Sequence, residues 1–278
     1  MKFLSGILLA LSSITLVSTT HADQRIVGYS MNPASPIVQN HSSKYITDLV
    51  WFSVEPNTDS TIDTTNISEA GFNAIETMRS QHDIRIHLAV GGWGRCEGFA
   101  EATRTPESRA TMIKDLVALC KKYSLDGIDY DWEFPENDQE YEQYSALLVE
   151  TKAAIRSLKL KLSLAVSPWQ RFPPEAIAAL DRFHLMAYDY NGKHSDSKRS
   201  KKTVEKFIRQ GAPAEKIFLG VPFYGRNLAD RNQSASYKNL FEKHTLLRKT
   251  DEIDGIYFNG PNTIAEKKRF AQKKILGV

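Results

Sequence analysis

Asp126-Gly127-Ile128-Asp129-Tyr130-Asp131-Trp132-Glu133-Phe134-Pro135 is the stretch on which the fold turns. Read as a strand, it sets Asp129, Asp131 and Glu133 on one face and Ile128, Tyr130 and Trp132 on the other, because side chains two apart share a face. A solvated acidic face would leave the Ile-Tyr-Trp face as the only buried one, on a strand flanked by helical patterns. A parallel barrel resolves this: the aromatic face packs beneath helices and the acids line the interior. At ~3.3 Å per residue the acids climb in ~6.6 Å steps, with Glu133 uppermost at the C-terminal mouth, where barrel active sites lie.

Outward from that strand, apolar β-branched runs at 25–30, 48–54, 85–93, 127–133, 161–167, 183–190 and 216–224 alternate with helical patterns. Several helix ends carry signals. Thr105 precedes Pro106 as an N-cap, Asn137 stands three residues before Glu140, and Gly211 followed by Pro213 reads as a stop. Such alternation predicts parallel strands joined by crossover helices, an α/β fold of the TIM (β/α)8 type. After the seventh strand, 227–262 reads as a loop and hairpin insertion, with a strand at 255–258 and a turn at Asn259-Gly260-Pro261. Thr263 and Glu266 form a capping-box pattern that opens a last helix. The apolar run 275–278 reads as the start of an eighth strand, so the barrel is expected to lack the rest of that strand and its final helix.

Composition narrows the function. The 278 residues are 41% hydrophobic and 25% charged, which allows a full core. Residues 1–22 read as a secretory signal, with Lys2 before a mostly apolar run and Thr20-His21-Ala22 as the cleavage site, leaving 23–278 as the catalytic barrel, secreted or periplasmic. The net charge of +3 includes Lys2 and falls to +2 without it, too little to direct the chain to nucleic acid or an anionic membrane. A neutral partner fits. The histidines show no metal-ligand spacing, and neither a metal nor a cofactor is expected. Cys96 and Cys120 flank a helix that would hold them about 20 Å apart, beyond disulfide reach, so two free thiols are expected.

Buried carboxylates without partners cost several kcal/mol or change protonation, so the ladder needs a purpose. Asp129 and Asp131 are expected to share a proton as a coupled pair whose combined charge keeps Glu133 protonated and able to donate.

Asp126, Asp129, Asp131 and Glu133 match the DxxDxDxE signature, and the chain resembles glycoside hydrolase family 18, chitinase-type enzymes. Further family-like segments follow in order: Ala89-Val90-Gly91-Gly92, Met186-Ala187-Tyr188-Asp189, and Pro222-Phe223-Tyr224-Gly225-Arg226. The resemblance implies substrate-assisted, retaining hydrolysis of β-1,4-linked N-acetylglucosamine polymers, chitin or chitooligosaccharides, by an endo-acting monomer. Glu133 would be the acid, Asp131 would hold the acetamido N–H, Asp129 would support it, and Tyr188 would donate to the acetamido carbonyl. Tyr29, Phe52, Trp93, Trp169, Met186, Asp189, Tyr224 and Arg226 would bind substrate, and Asp126, Gly91 and Gly92 would be structural. An aromatic on a barrel strand is also ordinary core, and Arg226 is equally readable as half of a surface ion pair.

Two departures from the family pattern stand out. Ala89 replaces the usual Ser, removing a hydroxyl from the lower acids, and an eighth strand bearing a Trp is not reached. Rival readings are an endo-β-N-acetylglucosaminidase on N-glycans, a chitin-binding lectin-like protein, and an unrelated barrel enzyme. Retention of Glu133 weighs against the lectin.

Overall fold

The computed structural model describes residues 25–36, 38–244, 249–274 and 276. The expected signal at 1–22 lies outside the described residues, as do Ile275, Gly277 and Val278 of the expected eighth strand; Leu276 is buried but in no strand.

The strands are β1 (Val27–Ser30), β2 (Asp48–Pro56), β3 (Ile62–Asp63), β4 (Arg85–Gly91), β5 (Gly127–Asp131), β6 (Lys161–Val166), β7 (Arg182–Leu185), β8 (Ile217–Leu219), β9 (Tyr224–Asn227), β10 (Ser234–Ser236), β11 (Glu252–Ile253) and β12 (Ile256–Tyr257). The α-helices are α1 (Glu69–Gln81), α2 (Phe99–Ala102), α3 (Pro106–Lys122), α4 (Asp138–Ile155), α5 (Pro174–Ala179), α6 (Ser197–Arg209), α7 (Tyr237–Lys243) and α8 (Pro261–Lys274). The main sheet runs β1-β2-β4-β5-β6-β7-β8, every neighbour parallel, with β3 antiparallel on the end of β2. This is the TIM-barrel architecture, curled but not closed by a β1 to β8 pairing among the described residues. A second sheet, β10-β9-β12-β11, is antiparallel and sits in the region expected to be a hairpin insertion.

The two faces of β5 separate as the alternation requires. Ile128, Tyr130 and Trp132 belong to the apolar core, where the Tyr130 hydroxyl reaches Thr151 on α4 at 2.9 Å and Trp132 stacks on Phe99 of α2 with centroids 4.9 Å apart. Asp129 and Asp131 are buried on the inner face. The helices that cover the sheet begin where the caps are encoded. The Thr105 side chain accepts from Ser108 N and Asn137 accepts from Glu140 N, each satisfying an N–H of a first helical turn.

Three expectations are corrected. The run 216–224 is not one strand: it breaks after Leu219, and Tyr224 starts β9 in the other sheet, with Pro222, which has no N–H for a ladder, between them. The strand expected at 183–190 ends at Leu185, so Met186 to Asp189 form a loop over the mouth. The Thr263–Glu266 capping box is absent, since Pro261 already opens α8; Thr263 Oγ1 instead donates to Asp251 Oδ2 and Glu266 pairs with Lys201 on α6.

The lower end of the barrel is tied by a charge that no local pattern reveals. Asp48 is fully buried and faces Arg25 at 3.1 Å, Arg182 at 2.8 Å, Arg85 at 3.4 Å and His87 at 3.0 Å. Asp126 works at the same end, accepting from Ile86 N and Arg79 and so pinning α1 to the foot of β5.

Candidate active site

The ladder ascends from Asp129 through Asp131 to Glu133, with each rung in a different environment. Asp129 is enclosed by donors from three other strands: Ser163 Oγ on β6 at 2.5 Å, Tyr29 Oη on β1 at 2.6 Å, and His184 Nδ1 on β7 at 3.0 Å. Burial opposes its charge, but His184, then Ser163 and Tyr29, hold its carboxyl below the usual carboxylate range. The hydroxyl missing at Ala89 on one flank of Asp129 is thus offset by Ser163 on the other.

Asp131 lies one step higher, equally buried, and its Oδ1 has no hydrogen-bond partner. Burial, then the neighbouring charges of Glu133 and Asp129, push its carboxyl well above the ordinary value. Glu133 is pushed up to about 7 by burial and then by the Asp189 carboxylate. Asp129 has enough donors to stay ionised, whereas Asp131 is raised by burial and then by the charges of Glu133 and Asp129. The second charge that keeps Glu133 protonated comes from Asp189 rather than from the lower acids.

Asp189 follows β7 in a left-handed backbone conformation, φ 58°, that turns its side chain toward β9. There it accepts from the Tyr224 hydroxyl at 2.6 Å and pairs with Arg226 Nε, while His194 Nδ1 stands 3.6 Å away. Burial raises its carboxyl, but His194, Arg226 and Tyr224 together hold it well below the carboxylate range. The ion pair considered for Arg226 exists, yet only 28% of the side chain is exposed and its partner belongs to the mouth loop. Tyr188, one residue earlier, packs edge-on against Tyr224 with centroids 6.3 Å apart. Burial, Tyr224 and the charges of Asp131 and Glu133 push its phenol well above the ordinary value, so it remains a donor. Met186 is half-buried just below, its N–H bonded to the Val166 carbonyl.

The aromatic candidates divide. Trp93 and Trp169 are exposed at 78% and 53%, Trp169 standing edge-on to Phe134 at 5.1 Å beside Glu133. Phe223, not singled out from sequence, is 75% exposed next to Tyr224. Phe52 points its ring tip at Gly92, where an added Cβ would fall 2.0 Å from Cζ, and touches Tyr29 edge-on. Tyr29 exposes one flank, while its hydroxyl is sequestered against Asp129. Gly91 and Gly92, at φ 93° and 106°, turn the chain off β4; a Cβ on Gly91 would meet the Asp131 carbonyl at 2.6 Å.

Local pattern missed His184, Ser163, His194 and Cys96. Cys96 is half-buried and Cys120 buried, both free thiols. Cys96 Sγ lies 3.2 Å from Glu133 N. A cavity of about 690 Å³ between Lys193, Asp196, Asp251, Tyr257 and Glu266 contains no ladder residue. Among the described residues no group of acidic, His or Cys side chains is placed to hold a metal, and no helix is long and apolar enough to cross a membrane.

Comparison with known proteins agrees with this geometry. The model of the glycosyl hydrolases family 18 matches residues 25–276. A probable chitinase 2 of Drosophila melanogaster is 26% identical over 223 residues, covering 70% of this chain and 43% of that protein. A class V chitinase of Medicago truncatula is 31% identical over 192 residues, 56% of this chain and 50% of that protein. The chain thus spans half or less of the length of these relatives. A crystal structure of a GH18 chitinase from the chitin utilization locus of Flavobacterium johnsoniae superposes with a TM-score of 0.81 at 26% identity, covering 91% of this chain and 86% of that one. A chitinase structure from Bacteroides thetaiotaomicron gives 0.83 at 22% identity, covering 92% and 88%, a likeness of fold.

Proposed function

Because the chain belongs to the glycosyl hydrolases of family 18, we propose that it cleaves β-1,4-linked N-acetylglucosamine polymers, chitin or chitooligosaccharides, internally and with retention at the anomeric carbon. The single observation that supports this most is the division of the ladder: an ionised Asp129 at its base, an unpartnered buried Asp131 oxygen in the middle, and a Glu133 carboxyl poised near neutrality at the top.

In this reading Glu133 gives its proton to the glycosidic oxygen while the C–O bond to the anomeric carbon breaks. The carbonyl oxygen of the substrate's own acetamido group forms the new bond to that carbon, giving an oxazolinium ion. Asp131 Oδ1, which no protein donor occupies, accepts the acetamido N–H. Tyr188 donates its hydroxyl to the acetamido carbonyl. Glu133, now a carboxylate, takes a proton from water as the water oxygen attacks the anomeric carbon, and the acid is restored. No second carboxylate at nucleophile distance is needed, because the substrate brings the nucleophile. Trp93, Trp169 and Phe223 offer exposed apolar faces to the sugar rings. Arg226, paired with Asp189 at the mouth, helps shape the neighbouring subsites.

The same reading has residues 1–22 directing export, so that residues 23–278 act as a monomer in the periplasm or outside the cell. Hydrolysis of a chitooligosaccharide followed by NMR tests the mechanism: β-anomer forms first at the new reducing end. Product of the opposite configuration refutes the oxazolinium route. Release of glycans from a glycoprotein with no cleavage of chitooligosaccharides would instead favour the N-glycan endoglycosidase.

A further inference from the structure

We propose that Cys96 is a positioning residue for the general acid, its sulfur fixing the main chain of Glu133 at the mouth of the barrel; this rests on the acid role given to Glu133 above. The parallel ladder between β4 and β5 ends at the pair Gly91 and Asp131. Beyond it the chain turns away at Gly91 and Gly92, both at positive φ, so β4 offers no further rung to the segment that carries the acid. Cys96, in the turn that leads to α2, fills that place. Its Sγ lies 3.2 Å from Glu133 N, 3.2 Å from the Gly92 carbonyl and 3.3 Å from the Asp131 carbonyl. One sulfur thus accepts the N–H of the acid residue and donates its S–H to the carbonyls beneath, while Gly92 N closes the arrangement on the Asp131 carbonyl at 2.7 Å.

The thiol suits the task chemically. Burial pushes it up to about 11, so it stays protonated and adds no negative charge beside Asp131 and Glu133. Sulfur also reaches farther than a hydroxyl oxygen, whose hydrogen bonds to N–H groups run at about 2.9 Å. A cysteine that merely fills space makes the opposite demand, since an apolar side chain of similar volume would then serve as well.

The substitutions C96V, C96A and C96S separate the two. Positioning ranks them by acceptor: C96S keeps most of the activity, losing no more than about threefold in kcat, whereas C96V and C96A, which leave the Glu133 N–H without its partner, lose about tenfold or more with KM changed less than about threefold. Packing ranks them by volume, with C96V nearest the wild type. C96A only removes atoms and keeps the comparison open if C96V does not fold. Independently of any substrate, the carboxyl 13C resonance of Glu133 in the free protein reports its titration. Besides Cys96 itself, the charged and titratable groups facing that carboxyl are Asp131, Tyr188 and Asp189, with Arg226 behind Asp189; it also accepts from Trp93 N, and none of these side chains is altered by the substitutions. In C96A and C96V the midpoint moves down as the acid drifts toward water. Wild-type kcat in C96V, or an unmoved midpoint in both variants, overturns the inference. A wild-type protein that hydrolyses no chitooligosaccharide overturns the proposed function alone, since the resonance still reads the effect of Cys96.

Discussion

Arg226 Nε, on the small antiparallel sheet, pairs with Asp189 Oδ1, on the loop that leaves β7, the sixth parallel strand. The contact bolts the inserted sheet to the mouth of the barrel and keeps Asp189 ionised, and that charge is the second largest cause, after burial, of the upward shift at Glu133. The acid must hold its proton to act, so activity falls as pH rises through about 7. Asp189→Asn removes the charge and lowers the Glu133 value, so the alkaline limb of the kcat/KM profile moves toward lower pH. Burial remains, which makes the movement smaller than the whole displacement. A pH–rate profile with chitotetraose checks this, and an unmoved limb would show that Asp189 does not act on Glu133 electrostatically.

Glu133→Gln deletes the proton donor with almost no change in shape. Turnover should fall by at least about a thousandfold, since the amide that replaces the carboxyl cannot act as the acid at the glycosidic oxygen. Chitooligosaccharide affinity should hold within a few-fold by calorimetry, because Trp93, Trp169 and Phe223 are untouched. Equal losses of binding and turnover would place Glu133 in substrate recognition instead.

The alternation in 126–135 was enough to separate acids from core, and the caps at Thr105 and Asn137 lie where local spacing puts them. What sequence periodicity misses is set by contacts distant along the chain. Tyr29, Ser163 and His184 meet Asp129 across separations of 100, 34 and 55 residues, and their convergence holds Asp129 ionised, which periodicity could not assign to either of the two lower rungs. Periodicity could not divide the apolar run 216–224 either, because Tyr224 onward pairs with β10 and β12, strands that lie later in the chain. Thr263 and Glu266 had the right spacing for a cap, and tertiary partners on other elements claimed both side chains.

Asp48 governs stability in acid. Burial raises its carboxyl, but His87, Thr47 and Arg182 outweigh burial and hold it well below its ordinary value. A group depressed in the folded state contributes stability that is fully present above its unfolded value, about 3.9, and is lost as pH falls toward the folded one. Asp48→Asn should therefore lower the melting temperature at neutral pH, by about 3 kcal/mol or more of stability, because Arg182 and His87 are left buried without a carboxylate. The gap from wild type should shrink below about pH 4. Calorimetry across that range decides the matter, and a constant gap would mean that Asp48 acts by shape rather than charge.

Lys267 shows the opposite sign. It is 1% exposed on α8, and its Nζ donates to Ser195 Oγ at 2.7 Å and Asn259 Oδ1 at 2.8 Å. Burial brings it down to about 7, against smaller opposing pulls from Asp196, Asp251 and Glu266. The unfolded chain binds a proton here up to about pH 10.4 and the folded protein only up to about 7, so between those values the unfolded state holds more protons and folding stability rises with pH. The slope contributed is at most about 1.4 kcal/mol per pH unit. Below about 7 both states are protonated and the full penalty of burying the charge is present. Lys267→Met removes the titration: the variant's stability should lose this slope between about pH 7 and 10, and its deficit should be smallest, or reversed into a gain, on the acid side. The deficit at high pH is the cost of leaving Ser195 and Asn259 without their donor, about 1–3 kcal/mol. Denaturant unfolding at several pH values provides the test. Parallel stability curves for variant and wild type would show that Lys267 stays charged inside the fold throughout, contrary to the burial that surrounds it.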